Sequence, residues 1–129
     1  MSDKLVWGID WSGDGKWIAS GGVDQTVKVW HADTGKLYKT LTGPEKTVAR
    51  VAITRDGSRV AATCFDGVVR VWDVGSGKIA TSFTFETPGT GNVAFSPDGK
   101  RLAASGPGVV KILELPTKTQ SEQVPSGPK

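Results

Sequence analysis

The sequence predicts an all-β fold made of small antiparallel sheets stacked face to face. Three observations predict it. First, the stretch Asp66-Gly67-Val68-Val69-Arg70-Val71-Trp72-Asp73 restates Asp24-Gln25-Thr26-Val27-Lys28-Val29-Trp30-His31, so that Trp72 takes the place of Trp30. A reduced third copy, Gly108-Val109-Val110-Lys111-Ile112-Leu113-Glu114, puts Leu113 in the same place; its spacing is shorter by one because it lacks the turn aspartate. Second, Asp-Gly turns fall at 14–15, 56–57 and 98–99, in equal steps. A repeat of this period is one supersecondary unit that cannot bury its apolar surface alone. Third, the last inner strand of each unit is apolar on both faces. Val27/Val29, Val69/Val71 and Val110/Ile112 point one way, while Trp30, Trp72 and Leu113 point the other. A sheet apolar on both faces must be covered on both, and with only strands at hand the cover is other sheets. Small sheets repeated around an axis make a β-propeller.

Taken in order, the first unit opens with a strand from Leu5 to Trp11, with Ile9 and Trp11 on one face and Gly8 and Asp10 on the other by the period of two. The turn Ser12-Gly13-Asp14-Gly15 follows, Asp-Gly being a strong hairpin signal. Strands Trp17–Ser20, Thr26–Trp30 and Lys36–Leu41 complete a four-stranded meander. The second unit repeats the plan with Val51–Ile53, Arg59–Thr63, Val68–Trp72 and Lys78–Phe83. The third has Val93–Phe95, Arg101–Ser105 and Val109–Leu113. Its fourth strand falls on the polar stretch Thr119–Val124, between Pro116 and Pro125. The expected units are residues 1–47, 48–91 and 92–124, with a loose tail over 125–129.

Composition fits this reading. Seventeen glycines and seven prolines in 129 residues suit many tight turns, and 37% hydrophobic with 22% charged residues suits a globular domain. The net charge of +3 is spread without a basic block, so nucleic acid is not expected as a partner. One cysteine excludes an intrachain disulfide framework. Met1-Ser2-Asp3-Lys4 shows no signal pattern, and no apolar run approaches the roughly 20 residues of a membrane helix. A cytoplasmic setting with no membrane partner is the default expectation.

The pieces Val93-Ala94-Phe95-Ser96-Pro97-Asp98-Gly99-Lys100, Ile18-Ala19-Ser20-Gly21-Gly22-Val23-Asp24 and Val71-Trp72-Asp73 together resemble the WD40-repeat family over about residues 5–115. The resemblance implies four-stranded blades, inner strand first and outer strand last, three of them in this chain. In that family a turn aspartate, a second-strand hydroxyl, the third-strand Trp and a His from the preceding loop form a hydrogen-bonded network. Carried over by position, the resemblance assigns Ser20, Asp24 and Trp30 to it in the first unit, and Asp66 and Trp72 in the second. Ala62 replaces the second hydroxyl, the third unit has neither aspartate nor Trp, and the Gly-His pair reads Gly43-Pro44. The resemblance further implies that residues before the first strand and before the turn aspartate share the face that usually binds partners. Trp7, Arg50 and Asn92 occupy the first kind of slot, Val23 and Phe65 the second. Aromatic and Arg side chains on loops are typical interface anchors; the other reading is local packing of loops.

No catalytic or cofactor site is expected. Gly75-Ser76-Gly77-Lys78 lacks the flanking residues of a phosphate loop, with Trp72 and Ile79 where Gly and Ser/Thr are needed, and Gly35-Lys36 makes the same turn one repeat earlier. Asp10 and Asp14 have no His, Cys or third acid beside them in the sequence. Cys64 lacks a nearby histidine, and His31 alone builds no metal site. The expected role is therefore non-enzymatic: a scaffold for protein interaction.

Three blades fall short of the roughly four to eight of a propeller. An open arc would leave apolar faces at both ends, larger than soluble monomers tolerate. Two chains joined head to tail would make a six-bladed ring, and three chains a nine-bladed one. The homodimer is favoured. The chain opens almost directly on an inner strand, which fits a complete unit; the weak fourth strand of the third unit counts against it. The alternative is a purely structural symmetric assembly, or a propeller fragment or designed intermediate, without a dedicated ligand.

Overall fold

The structure, a computed structural model, describes residues 4–85 and 91–116. The expected strand at 119–124 and the tail at 125–129 lie outside them. Among the described residues every regular element is a strand. The first sheet runs β1 (Val6–Trp11), β2 (Trp17–Gly22), β3 (Val27–His31) and β4 (Leu37–Leu41). The second runs β5 (Val48–Ile53), β6 (Arg59–Cys64), β7 (Val68–Asp73) and β8 (Lys78–Thr84). The third holds β9 (Val93–Phe95), β10 (Arg101–Gly106) and β11 (Val109–Glu114). Each sheet is an antiparallel meander in chain order. The one notable difference in strand limits is β5, which starts at Val48 rather than Val51. A bulge between Val48 and Arg50 carries its pairing with β6 upstream, as a bulge between Val6 and Gly8 does in β1.

The Asp-Gly turns explain the hairpins. Gly15, Gly57 and Gly99 have φ of +77°, +79° and +74°, a left-handed conformation that glycine adopts without steric cost. In each, the aspartate Oδ1 accepts the backbone N–H two residues on: Lys16, Ser58 or Lys100. A hydroxyl at the strand end, Ser12, Thr54 or Ser96, donates to the same oxygen. The turn is thus locked by side chains the sequence repeats three times.

The core lies between the sheets. Ala19, Val27, Val29 and Leu41 of the first sheet pack with Val51, Ile53, Val60, Ala62 and Trp72 of the second. The other face of the second sheet repeats the joint: Ala52, Ala61, Val69 and Val71 pack with Val93, Leu102 and Ala104 of the third. Burying such side chains is the dominant favourable term, about 25 cal/mol per Å² of apolar area. Phe83, Phe85 and Phe95 pack against this second cluster.

Candidate interaction surfaces

The two joints share one plan. In the repeat, Val51, Ile53, Val60 and Trp72 of the second sheet hold the places of Ile9, Trp11, Ile18 and Trp30 in the first. Among the described residues that face of the first sheet meets no neighbouring sheet: Ile9 is 68% exposed and Trp11 59%, against 7% for Val51 and 6% for Ile53. At the far end, Val110 and Ile112 stand where Val69 and Val71 stand in the second sheet, and they are exposed as well. Ala94, Ala103 and Ser105 lie on the same face as these two by strand pairing. Among the described residues the three sheets therefore present two unlike apolar faces, each the counterpart of a face that is buried between sheets.

The tryptophan network expected from the resemblance takes a divided form. Trp30 Nε1 donates to Ser20 Oγ at 2.9 Å. Trp72, with Ala62 in place of the serine, donates instead to the Thr42 carbonyl at 3.0 Å, across the joint to the first sheet. Each indole has one donor, so neither is bonded to an aspartate. Asp24 takes the Thr26 N–H and hydroxyl on Oδ1 and pairs with Lys28 at 2.7 Å. Asp66 takes Val68 N–H and the Glu45 N–H from the incoming linker, and pairs with Arg70 at 2.9 Å. Burial alone would raise the Asp66 carboxyl, but the Arg70 guanidinium and the two backbone donors outweigh it and hold it below the usual carboxylate range. The same pair frames Cys64: burial, reinforced by Asp66, pushes its thiol up to about 11, a structural rather than reactive cysteine.

The loop-face residues are brought together in part. Trp7 and Phe65 meet edge to face with ring centroids 5.5 Å apart, although one lies at the start of the first sheet and the other leaves β6 of the second. Both remain about half exposed. Trp7, Arg50 and Asn92 line one groove along the inner strands β1, β5 and β9. Arg50 is exposed and its Nη1 donates to the Ala49 carbonyl at 2.9 Å. Asn92 Oδ1 accepts the Val93 N–H at 2.9 Å. Val23 is half-buried, and its N–H extends the β1–β2 pairing to the Leu5 carbonyl.

Two positioning residues escaped sequence reasoning. Asp10, weighed only as a partner of Asp14, reaches across the joint: its Oδ2 accepts the Ile53 N–H at 3.0 Å. Arg70 is the second, the buried partner of Asp66. The signal for it was a cation at the same place after the turn aspartate in both repeats, Lys28 and Arg70.

Among the described residues, no group of three His, Cys, Asp or Glu is placed to hold a metal ion, and no helix is long and apolar enough to cross a membrane. A family model described as WD domain, G-beta repeat matches residues 2–31 and 35–73, more than half of the chain. No curated protein matches it.

Proposed function

The chain belongs to the WD40-repeat family, and on that footing we propose that it is a non-enzymatic protein-interaction scaffold whose three sheets act as blades. WD40 repeats generally mediate protein interaction. Two copies joined head to tail close a six-bladed ring, within the roughly four to eight blades propellers use. Blade limits at 1–47, 48–91 and 92–124 follow from the repeat.

One observation carries the reading: the open face around Ile9 and Trp11 and the open face around Val110 and Ile112 are the two halves of a joint the chain already makes twice. A second copy supplies each half with its proper mate. Exposed apolar faces of this kind mark association surfaces. A heterologous contact of this sort closes into a ring when its rotation permits and otherwise runs on as an open chain. The measurement is solution mass by light scattering on a sizing column across dilution. Two chains, with Ile112→Asp reducing the mass to one, is the expected result. A well-folded monomer at all concentrations would remove the ring.

The ring leaves its loop face free for a protein or peptide, with Trp7, Phe65 and Arg50 as anchors and Val23 and Asn92 beside them. What supports this is exposure: an aromatic pair contributing about 0.5–1.5 kcal/mol to itself remains half open to a partner. Trp7→Ala, Phe65→Ala and Arg50→Ala are expected to weaken partner capture while leaving the melting temperature within a few degrees. Equal loss of stability and capture would mark them as packing residues.

A further inference from the structure

The closing contact between two copies has a readable register, because the joint inside the chain fixes which residues oppose each other. We infer that Ser105 of one copy lies against the partner's Val6, and that Ala94 lies beside the main chain of the partner's Trp11. This rests on the two-chain ring proposed above. At the joint between the first and second sheets, a Cβ placed on Gly21 stands 3.0 Å from Val48 Cβ. Gly21 corresponds to Ser105, two repeats on, and Val48 to Val6, one repeat back. The strand pairings agree: Gly21 faces Val27, and Ser105 faces Val110; Val48 faces Cys64, and Val6 faces Gly22. At the same joint Asp10 Oδ2 accepts the Ile53 N–H. Asp10 corresponds to Ala52 and then to Ala94, and Ile53 to Trp11, so the closing joint, like the joint between the second and third sheets, has a methyl group where the first joint has a carboxylate. Ala94, like Asp10, borders the inner-strand groove, so a charge placed there stays in reach of water.

The register is directional: Ser105 meets Val6, never its own counterpart. The double variant Val6→Cys/Ser105→Cys is therefore expected to form a covalent dimer when oxidised glutathione takes up the two electrons. A disulfide wants its Cβ atoms about 3.5–4.5 Å apart, a small outward shift from the spacing of the inner joint. Each single variant is expected to stay uncrosslinked, since Cys64 is buried at 1% exposure. Independently, Ala94→Asp gives the partner's Trp11 N–H an acceptor at both closing joints of the ring and is expected to lower the dissociation constant about fivefold for each joint, roughly 25-fold in all.

Crosslinking by Val6→Cys alone would mean like faces meet, which overturns the register. Crosslinking only in the double variant, together with the tightening by Ala94→Asp, supports it. A two-chain mass with no crosslink in the double variant and no tightening by Ala94→Asp overturns the register while the ring stands. A one-chain mass for the unmodified protein overturns the ring itself, and the register with it.

Discussion

Ile9 and Val51 hold the same place in successive repeats, yet Ile9 is 68% exposed and Val51 7%. Nothing local distinguishes them: both sit in an inner strand, opposite Ser20 and Ala62 of the next. The difference is that a sheet lies over Val51, while among the described residues none lies over Ile9. The same contrast separates Trp72, fully buried, from the half-buried Trp30.

Trp72→Ala is expected to cost about 3–5 kcal/mol of folding stability, because it opens a cavity in the buried joint and removes the indole bond to the Thr42 carbonyl. Trp30→Ala is expected to cost about half as much in the isolated chain and to weaken self-association. Denaturant unfolding at low protein concentration, paired with mass measurements, separates the two. Equal costs in the isolated chain would mean that the face around Trp30 is already covered.

The ion pairs divide in the same way. Asp66 and Arg70 each keep only 10% of their side-chain exposure, against 28% and 25% for Asp24 and Lys28. Asp66→Asn leaves a buried guanidinium unpaired and is expected to cost about 3 kcal/mol at neutral pH. Asp24→Asn is expected to cost about 1 kcal/mol or less. The Asp66 carboxyl is held below its ordinary value. Its stabilisation is therefore fully present above the unfolded carboxyl value of about 3.9, and it is lost as pH falls through the lower folded value. Stability measured from pH 6 down to pH 2 should fall less steeply in Asp66→Asn than in the parent; parallel curves would refute the assignment.

Gln25 has φ of +69°, the position that Gly67 and Gly108 occupy in the later repeats. A side chain there carries left-handed strain of about 1–2 kcal/mol. Gln25→Gly removes the strain at some cost in unfolded-state entropy, and the expected net gain is about 0.5–1 kcal/mol. A lower melting temperature for the variant would show that the Gln side chain makes a compensating contact.

Gly57 and Gly15 are both left-handed turn glycines, but their surroundings differ. A Cβ on Gly15 meets nothing within 4 Å, whereas one on Gly57 would run into the Trp17 indole. Gly15→Ala is expected to cost about 1 kcal/mol from backbone strain alone. Gly57→Ala is expected to cost about 3 kcal/mol, since it also displaces a Trp17 ring packed at a tilt with its centroid 4.8 Å from those of both His31 and Tyr38. Thermal unfolding of the pair isolates the contribution of the indole.

Most of the sheet order was legible because it depends on short-range signals. The Asp-Gly turns, the alternation within strands and the double-sided apolar strands all act within a hairpin, and the repeat showed them more than once. What was not legible joins residues that no pattern pairs. Trp72 to Thr42, in the linker just past β4, and Asp10 to Ile53 are bonds that cross between repeats, and they depend on how one sheet is turned against the next. The loss of a hydroxyl at Ala62 was visible; that the indole would find a carbonyl across the joint was not. Likewise Trp7 and Phe65 occupy different kinds of slot in different repeats, and only the stacking of sheets brings them edge to face.

The placement of the five tryptophans makes the molecule its own optical reporter. Trp72 is sealed away from water, while Trp11 is mostly open and Trp30 partly so. Indole emission shifts to shorter wavelength as water leaves the ring. Any event that covers the first sheet should therefore move the summed indole emission toward the blue without a label, through Trp11 and Trp30, while the contribution of the buried Trp72 stays unchanged.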